Sequence, residues 1–147
     1  MRYSLHIDIA LPRDRVIELF DDQENLFQWM EGLVSCDLIS GEAGQVGARS
    51  KMVFQMGKRR IEMIETITVR NLPDEFSCTY EAPGVWNEVQ NHFAEIGPEE
   101  TQWTTHNHFR FKGLFMRLMG FLMPGAFRKQ SYKYLERFKA FAESQGK

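Results

Sequence analysis

The stretch PGAFRKQSYKYLERFKAFAE, Pro124–Glu143, decides the fold. Phe127, Ser131, Tyr134, Phe138 and Phe141 recur there at helical spacing, opposite a basic and polar face. That pattern predicts a long amphipathic helix, and such a helix needs an apolar surface to cover. The residues before it supply strands. "SGEAGQVGA" (Ser40–Ala48), "MGKRR" (Met56–Arg60), "NLPDE" (Asn71–Glu75), "APG" (Ala82–Gly84) and "GPEE" (Gly97–Glu100) separate β-rich runs. Glycine and proline at these positions provide the backbone angles of hairpin turns. The spacing is too short for crossover helices, so the runs pair as an antiparallel meander.

The N-terminal "MRYSLHIDIAL" (Met1–Leu11) alternates polar and apolar residues, which is a strand pattern. Next, "PRDRVIELFDD" (Pro12–Asp22) starts with proline, favoured at a first helical position, and sets Val16, Leu19 and Phe20 on one side. "DQENLFQWM" (Asp22–Met30) follows as a second short helix capped by Asp22. The order is one strand, two short helices, six strands and the long helix. The only element large enough to cover the sheet is that helix, so the fold class is α+β: a curved seven-stranded antiparallel sheet gripping the C-terminal helix, with the short helices closing one end. No repeat or linker divides the chain, and residues 1–147 read as a single domain.

Alternation orients each strand. Tyr3, Leu5, Ile7 and Ile9 face inward in the first. Ser50, Met52, Phe54 and Met56 do so in the third, Ile61, Met63, Glu65, Ile67 and Val69 in the fourth, and Phe76, Cys78 and Tyr80 in the fifth. For the last two strands a register with Glu88 opposite Arg110, His92 opposite His106 and Asn91 opposite Asn107 is preferred, because it pairs opposite charges and collects the aromatics on one side. Asn87, Val89, Asn91 and Phe93 then share the inner face with Trp103, Thr105, Asn107, Phe109 and Phe111. This face mixes Glu65, Tyr80, Asn91, Thr105 and Asn107 with aromatics and methionines. An unpaired buried polar group costs roughly 1–3 kcal/mol, so the mixture suits a wet or ligand-filled cavity better than a solid core.

Composition excludes several function classes. The chain has 147 residues and net charge −2, giving no electrostatic case for nucleic acid. Cys36 and Cys78 are too few and too separated for a disulfide framework or a metal knuckle. No apolar run reaches the ~18 residues a membrane span requires, and the N-terminus is no secretory segment. A soluble, cytoplasmic protein is expected.

Several local patterns together resemble the START-like superfamily, the polyketide cyclase/dehydrase and lipid-transport or Bet v 1-like proteins. They are "LPRDRVIELF" (Leu11–Phe20) directly after strand one, the short aromatic helix in "LFQWMEGLVSCDLI" (Leu26–Ile39), "GQVGARSKM" (Gly44–Met52) entering strand three, and the terminal "YLERFKAFAE" (Tyr134–Glu143). The resemblance spans the chain and rests on scaffold positions. It implies a helix-grip fold with a deep pocket between sheet and terminal helix, usually holding a hydrophobic small molecule. It brings no universal catalytic residue, and the sequence lacks the Rieske iron–sulfur ligands of ring-hydroxylating relatives.

Glu65, set among Met63 and Ile67, is the candidate general acid or base; the simpler alternative is that it reaches the cavity mouth or pairs with a lysine or arginine there. Asn91, Asn107, Tyr80 and Thr105 are positioned either to hydrogen-bond a ligand or to satisfy one another. Met52, Phe54, Met63, Trp103 and Phe109 complete the sheet side of the expected pocket, and Phe127 and Ser131 the helix side. The four histidines His6, His92, His106 and His108 all fall on the outer face, as exposed groups or, less simply, a metal cluster. No G-x-S-x-G motif or phosphate loop is present, and Ser50 and Ser131 have no evident base.

"GLFMRLMGFLMPGAF" (Gly113–Phe127) is broken by Pro124 and Gly125, too short to span a bilayer. It reads as a hinged apolar flap, bringing Phe115 and Met119 over the pocket and touching a lipid surface during exchange, or else as a buried core helix. The leading functional reading is a carrier or sensor for a hydrophobic or amphipathic molecule such as a lipid, quinone or polyketide-like aromatic, with no cofactor and no metal. The alternatives are a cyclase, dehydratase or isomerase that uses Glu65, and a protein-interaction module.

Overall fold

The computed structural model describes residues 1–147. Alternating apolar residues make β1 (Arg2–Ile9), whose Leu5, Ile7 and Ile9 are buried while Ser4, His6 and Asp8 are not. Pro12 fixes the turn out of β1 and stands one residue before α1 (Arg13–Asp21). A single 3₁₀ turn (Gln23–Asn25) and α2 (Leu26–Trp29) then share the segment expected to be one short helix. Asp22 caps it as anticipated, its carboxylate accepting from the Glu24 N–H at 3.0 Å.

β2 (Leu33–Ser40), β3 (Arg49–Met56), β4 (Arg59–Asn71), β5 (Glu75–Ala82), β6 (Val85–Gly97) and β7 (Glu100–Phe111) follow. With β1 they form one antiparallel seven-stranded sheet in the order β1-β7-β6-β5-β4-β3-β2. α3 (Leu114–Leu122) and α4 (Pro124–Gln145) end the chain. Pro124, which has no N–H to continue α3, begins α4 instead. This is the α+β helix-grip architecture that the sequence pattern predicts.

Two register expectations are corrected. β6 and β7 pair two residues away from the expected alignment: Trp86 opposes Arg110, Glu88 opposes His108 and Asn91 opposes Thr105. The loop is a tight one, with Gly97 opposite Glu100, and Ile96 is bulged out of the ladder. A slip of two preserves parity, so the expected inner and outer faces stand. In β4 the inward alternation ends at Ile67, where a bulge at Thr68 shifts the pairing. Arg70 rather than Val69 therefore shares a row with Phe76, and its guanidinium grips Asp21 of α1 at 2.7 and 2.8 Å.

The main core occupies one end of the grip. Leu5, Ile7, Ile9 and Leu11 pack there with Val16, Leu19, Trp29, Phe93, Trp103 and the α4 residues Leu135, Phe138 and Ala142. The Phe20 ring lies at its centre, 5.0–5.9 Å from Trp29, Phe76, Phe93, Trp103 and Phe138. Ala48, Ile67 and Cys78 form a separate small cluster under β3–β5. α4 packs chiefly on β1, α2 and α3. The space between its first turns and β3–β5 is where the two clusters fail to merge. No helix is long and apolar enough to cross a membrane.

Candidate functional site

Ser50, Glu65, Tyr80, Asn87 and Phe109 lie on five successive strands and oppose one another pairwise, making one row across the inner face. Four polar side chains in line on the face that a helix covers is a costly arrangement for a packed interior. Glu65 and Tyr80 are crowded by protein on all sides yet keep accessible surface, as do Met63, Val89 and Phe109. They line a recess reached by water.

The electrostatics of the row are those of an apolar hollow without a cation. Burial pushes the Glu65 carboxyl above its usual range, and only the Tyr80 hydroxyl beside it pulls the other way. No lysine or arginine pairs with it, unlike one of the expected arrangements. The Tyr80 phenol is pushed well above its ordinary value, first by burial and then by the Glu65 charge. Cys36, half-buried on β2, is raised to about 11 by burial and by Glu65, and buried Cys78 is raised well above its normal value by the same causes. Both thiols are therefore held protonated and are poor nucleophiles.

The remaining sequence candidates divide into four groups. Met52 and Phe54 are buried side chains of β3. Asn91, Trp103, Thr105 and Asn107 are buried and largely satisfy one another: Trp103 Nε1 donates to Asn91 Oδ1 at 3.0 Å, and Asn107 Nδ2 donates to Thr105 Oγ1 at 3.1 Å. Phe109, Phe127 and Ser131 stand at the mouth. Phe109 stacks on Tyr3 at 5.9 Å and meets Phe127 at 5.2 Å, while the Tyr3 hydroxyl lies 2.6 Å from Ser131 Oγ and donates to the Phe127 carbonyl at 3.1 Å. Of the two α3 residues expected over the pocket, Met119 is half-buried, but Phe115 is 70% exposed.

Tyr3, Asn87 and Cys36 complete the surroundings and were not singled out from the sequence. Asn87 could have been found by extending the Glu65–Tyr80 pairing one strand further, since it was already placed on the inner face. Two buried donors on the covering helices, Trp29 Nε1 of α2 and Gln130 Nε2 of α4, have no protein acceptor. On the outer face the His92 and His106 rings lie 5.4 Å apart, and Ser4 Oγ lies 2.6 Å from His106 Nδ1. No three potential metal-ligating side chains converge there or elsewhere.

A family model described as polyketide cyclase / dehydrase and lipid transport matches residues 1–143. The chain belongs to this polyketide cyclase/dehydrase and lipid-transport family. Solved structures of similar fold include a protein from Thermus thermophilus, 16% identical with TM-score 0.81 over 100% of both chains. An aromatase/cyclase from a Streptomyces species is 12% identical with TM-score 0.82, covering 100% of this chain and 96% of that one. Norcoclaurine synthase from Thalictrum flavum, solved in complex with dopamine and hydroxybenzaldehyde, is 12% identical with TM-score 0.74, covering 100% and 88%. No curated protein sequence matches the chain. At these identities the likeness is one of fold, and the family's scaffold is what the two share.

Proposed function

We propose that the protein binds an amphipathic, mainly apolar small molecule in the recess between the sheet and the first half of α4. The observation that carries this reading is the Ser50–Glu65–Tyr80–Asn87 row: polar side chains on a covered face, of which Glu65, Tyr80 and Asn87 keep accessible surface, with a carboxyl that no cation neutralises. Such groups gain from an oxygen- or nitrogen-bearing ligand end, while Met63, Phe109 and Phe127 contact its apolar body. Binding is driven by apolar burial at roughly 25 cal/mol per Å², with the row fixing orientation.

The likeness to an aromatase/cyclase and to an enzyme holding two aromatic compounds favours aromatic or polyketide-like ligands as the first panel, with lipids and quinones beside them. Native mass spectrometry of freshly purified protein, followed by solvent extraction and thermal-shift titration with that panel, tests the reading. A co-purifying or stabilising small molecule, displaced by Tyr80→Trp, is expected. A protein that carries nothing and is shifted by no member of the panel refutes it.

A second reading, proton transfer in a cyclase-, dehydratase- or isomerase-type reaction, is favoured by the Glu65–Tyr80 pair alone. A carboxyl whose affinity for protons is raised can hold and deliver a proton nearer neutral pH than an ordinary glutamate. Glu65→Gln separates the two. A carrier keeps its ligand affinity, whereas an enzyme still binds and loses turnover.

A further inference from the structure

The outer side of α3 is apolar and nothing in the chain covers it. Leu114 is 88% exposed, Phe121 81% and Leu122 62%, with Phe115 and Leu118 beside them. The other side of the same helix is anchored: Met116 rests on Gly84, and Gly120 meets the Phe111 ring so closely that an added Cβ would come within 2.6 Å of it. The exposure is thus a fixed feature of a seated helix, and a patch of this kind marks an interaction surface.

Charge identifies the partner. Although the whole chain has net charge −2, the span from Thr101 to Leu135 holds Arg110, Lys112, Arg117, Arg128, Lys129 and Lys133 and no aspartate or glutamate. Two surface grooves border α3 and the start of α4. One, of about 590 Å³, is lined by Arg110, Lys112 and Arg117 together with Phe109 and Phe121, and no acidic residue enters it. The other, of about 400 Å³, is lined by Arg128, Lys129, Lys133 and Tyr132, with Glu136 as its one acid.

We propose that α3 docks the protein on a bilayer surface containing anionic phospholipids. Its leucines and phenylalanines enter the acyl boundary while the flanking cations meet the lipid phosphates, the arrangement of an interfacial amphipathic helix. A second copy of the chain fits poorly, because joining two such faces would bring two basic rims together. The orientation also has a use under the ligand-binding reading: Phe109 belongs both to the first groove and to the recess row, so docking sets the recess mouth against the lipid.

Vesicle flotation with the full chain, and no ligand for the recess, tests docking apart from ligand binding. Vesicles of phosphatidylcholine mixed with phosphatidylglycerol should carry the protein, less so as salt rises, and vesicles of phosphatidylcholine alone should not. The double substitution Phe115→Ser with Phe121→Ser should weaken binding at least about tenfold. Arg117→Glu and Lys129→Glu should each weaken it by roughly fivefold or more. Absence of binding to the mixed vesicles, equal binding to neutral ones, or binding untouched by all of these substitutions overturns the proposal. A dimer in light scattering that Phe121→Ser dissolves overturns it in favour of self-association.

Discussion

Glu65 on β4 stands directly opposite Tyr80 on β5, and the tyrosine hydroxyl is the only group that offsets the burial of the carboxyl. The consequence is a proton held more tightly in the folded chain than in the unfolded one. Unfolded glutamate titrates near pH ~4.3. Between that pH and the raised folded value, the folded state binds the extra proton, so stability falls as pH rises through the window and is level above it.

Glu65→Gln should remove that slope. Relative to the unsubstituted protein, the variant should gain stability on going from about pH 4 to neutrality, by roughly 1.4 kcal/mol for each unit by which the folded pKa is raised. Urea unfolding at both pH values measures it. An identical pH dependence in the two proteins would show that Glu65 titrates as an ordinary glutamate.

The two ends of α4 should respond differently to truncation. Phe138 is fully buried, with ring centroids 5.1 Å from Trp29 and 5.2 Å from Trp103, so Phe138→Ala should cost about 3–5 kcal/mol. Phe127 is half-exposed at the mouth, and Phe127→Ala should cost no more than about 1.5 kcal/mol. Equal losses would place the packed core along the whole helix and close the recess.

That asymmetry explains how far the sequence could be read. The strand faces were legible because side-chain period is two: the β6–β7 alignment was displaced by two residues, yet Asn91, Thr105 and Asn107 still faced inward as expected. The break at Pro124 was legible because proline cannot continue a helix. The bulge at Thr68 was not, since nothing in "ITVRN" (Ile67–Asn71) interrupts the alternation, and only the reach of Arg70 to Asp21 explains the outcome. The position of α3 was not legible either. A helix apolar on more than one face satisfies a core and an interface alike, and tertiary contacts at Gly84 and Gly120 decide between them.

Asn91 separates structure from ligand contact among the inner polar groups. The displaced register sets it opposite Thr105 and lets its Oδ1 accept from Trp103 Nε1. Asn91→Leu should leave that buried indole N–H without an acceptor and cost about 1–3 kcal/mol. Ligand affinity, read by the same thermal-shift panel, should change little. A variant of normal stability that no longer binds would assign Asn91 to the ligand.

Gly120→Ala tests how α3 is seated. Gly120 is helical, so an alanine costs nothing in backbone conformation and would by propensity strengthen the helix. Its methyl group, however, would fall 2.6 Å from the Phe111 ring. That ring cannot simply turn aside, because it lies 5.9 Å from Phe109 and 5.3 Å from Phe127 in the aromatic set at the mouth. The helix must therefore lift. Hydrogen exchange should quicken at α3 amides by about five- to thirtyfold, equivalent to roughly 1–2 kcal/mol of local overpacking, while the β1, β6 and β7 amides of the main core keep their protection. Unchanged exchange in α3 would mean that the helix is not held at Phe111, and a uniform rise across the sheet would make α3 part of the cooperative core.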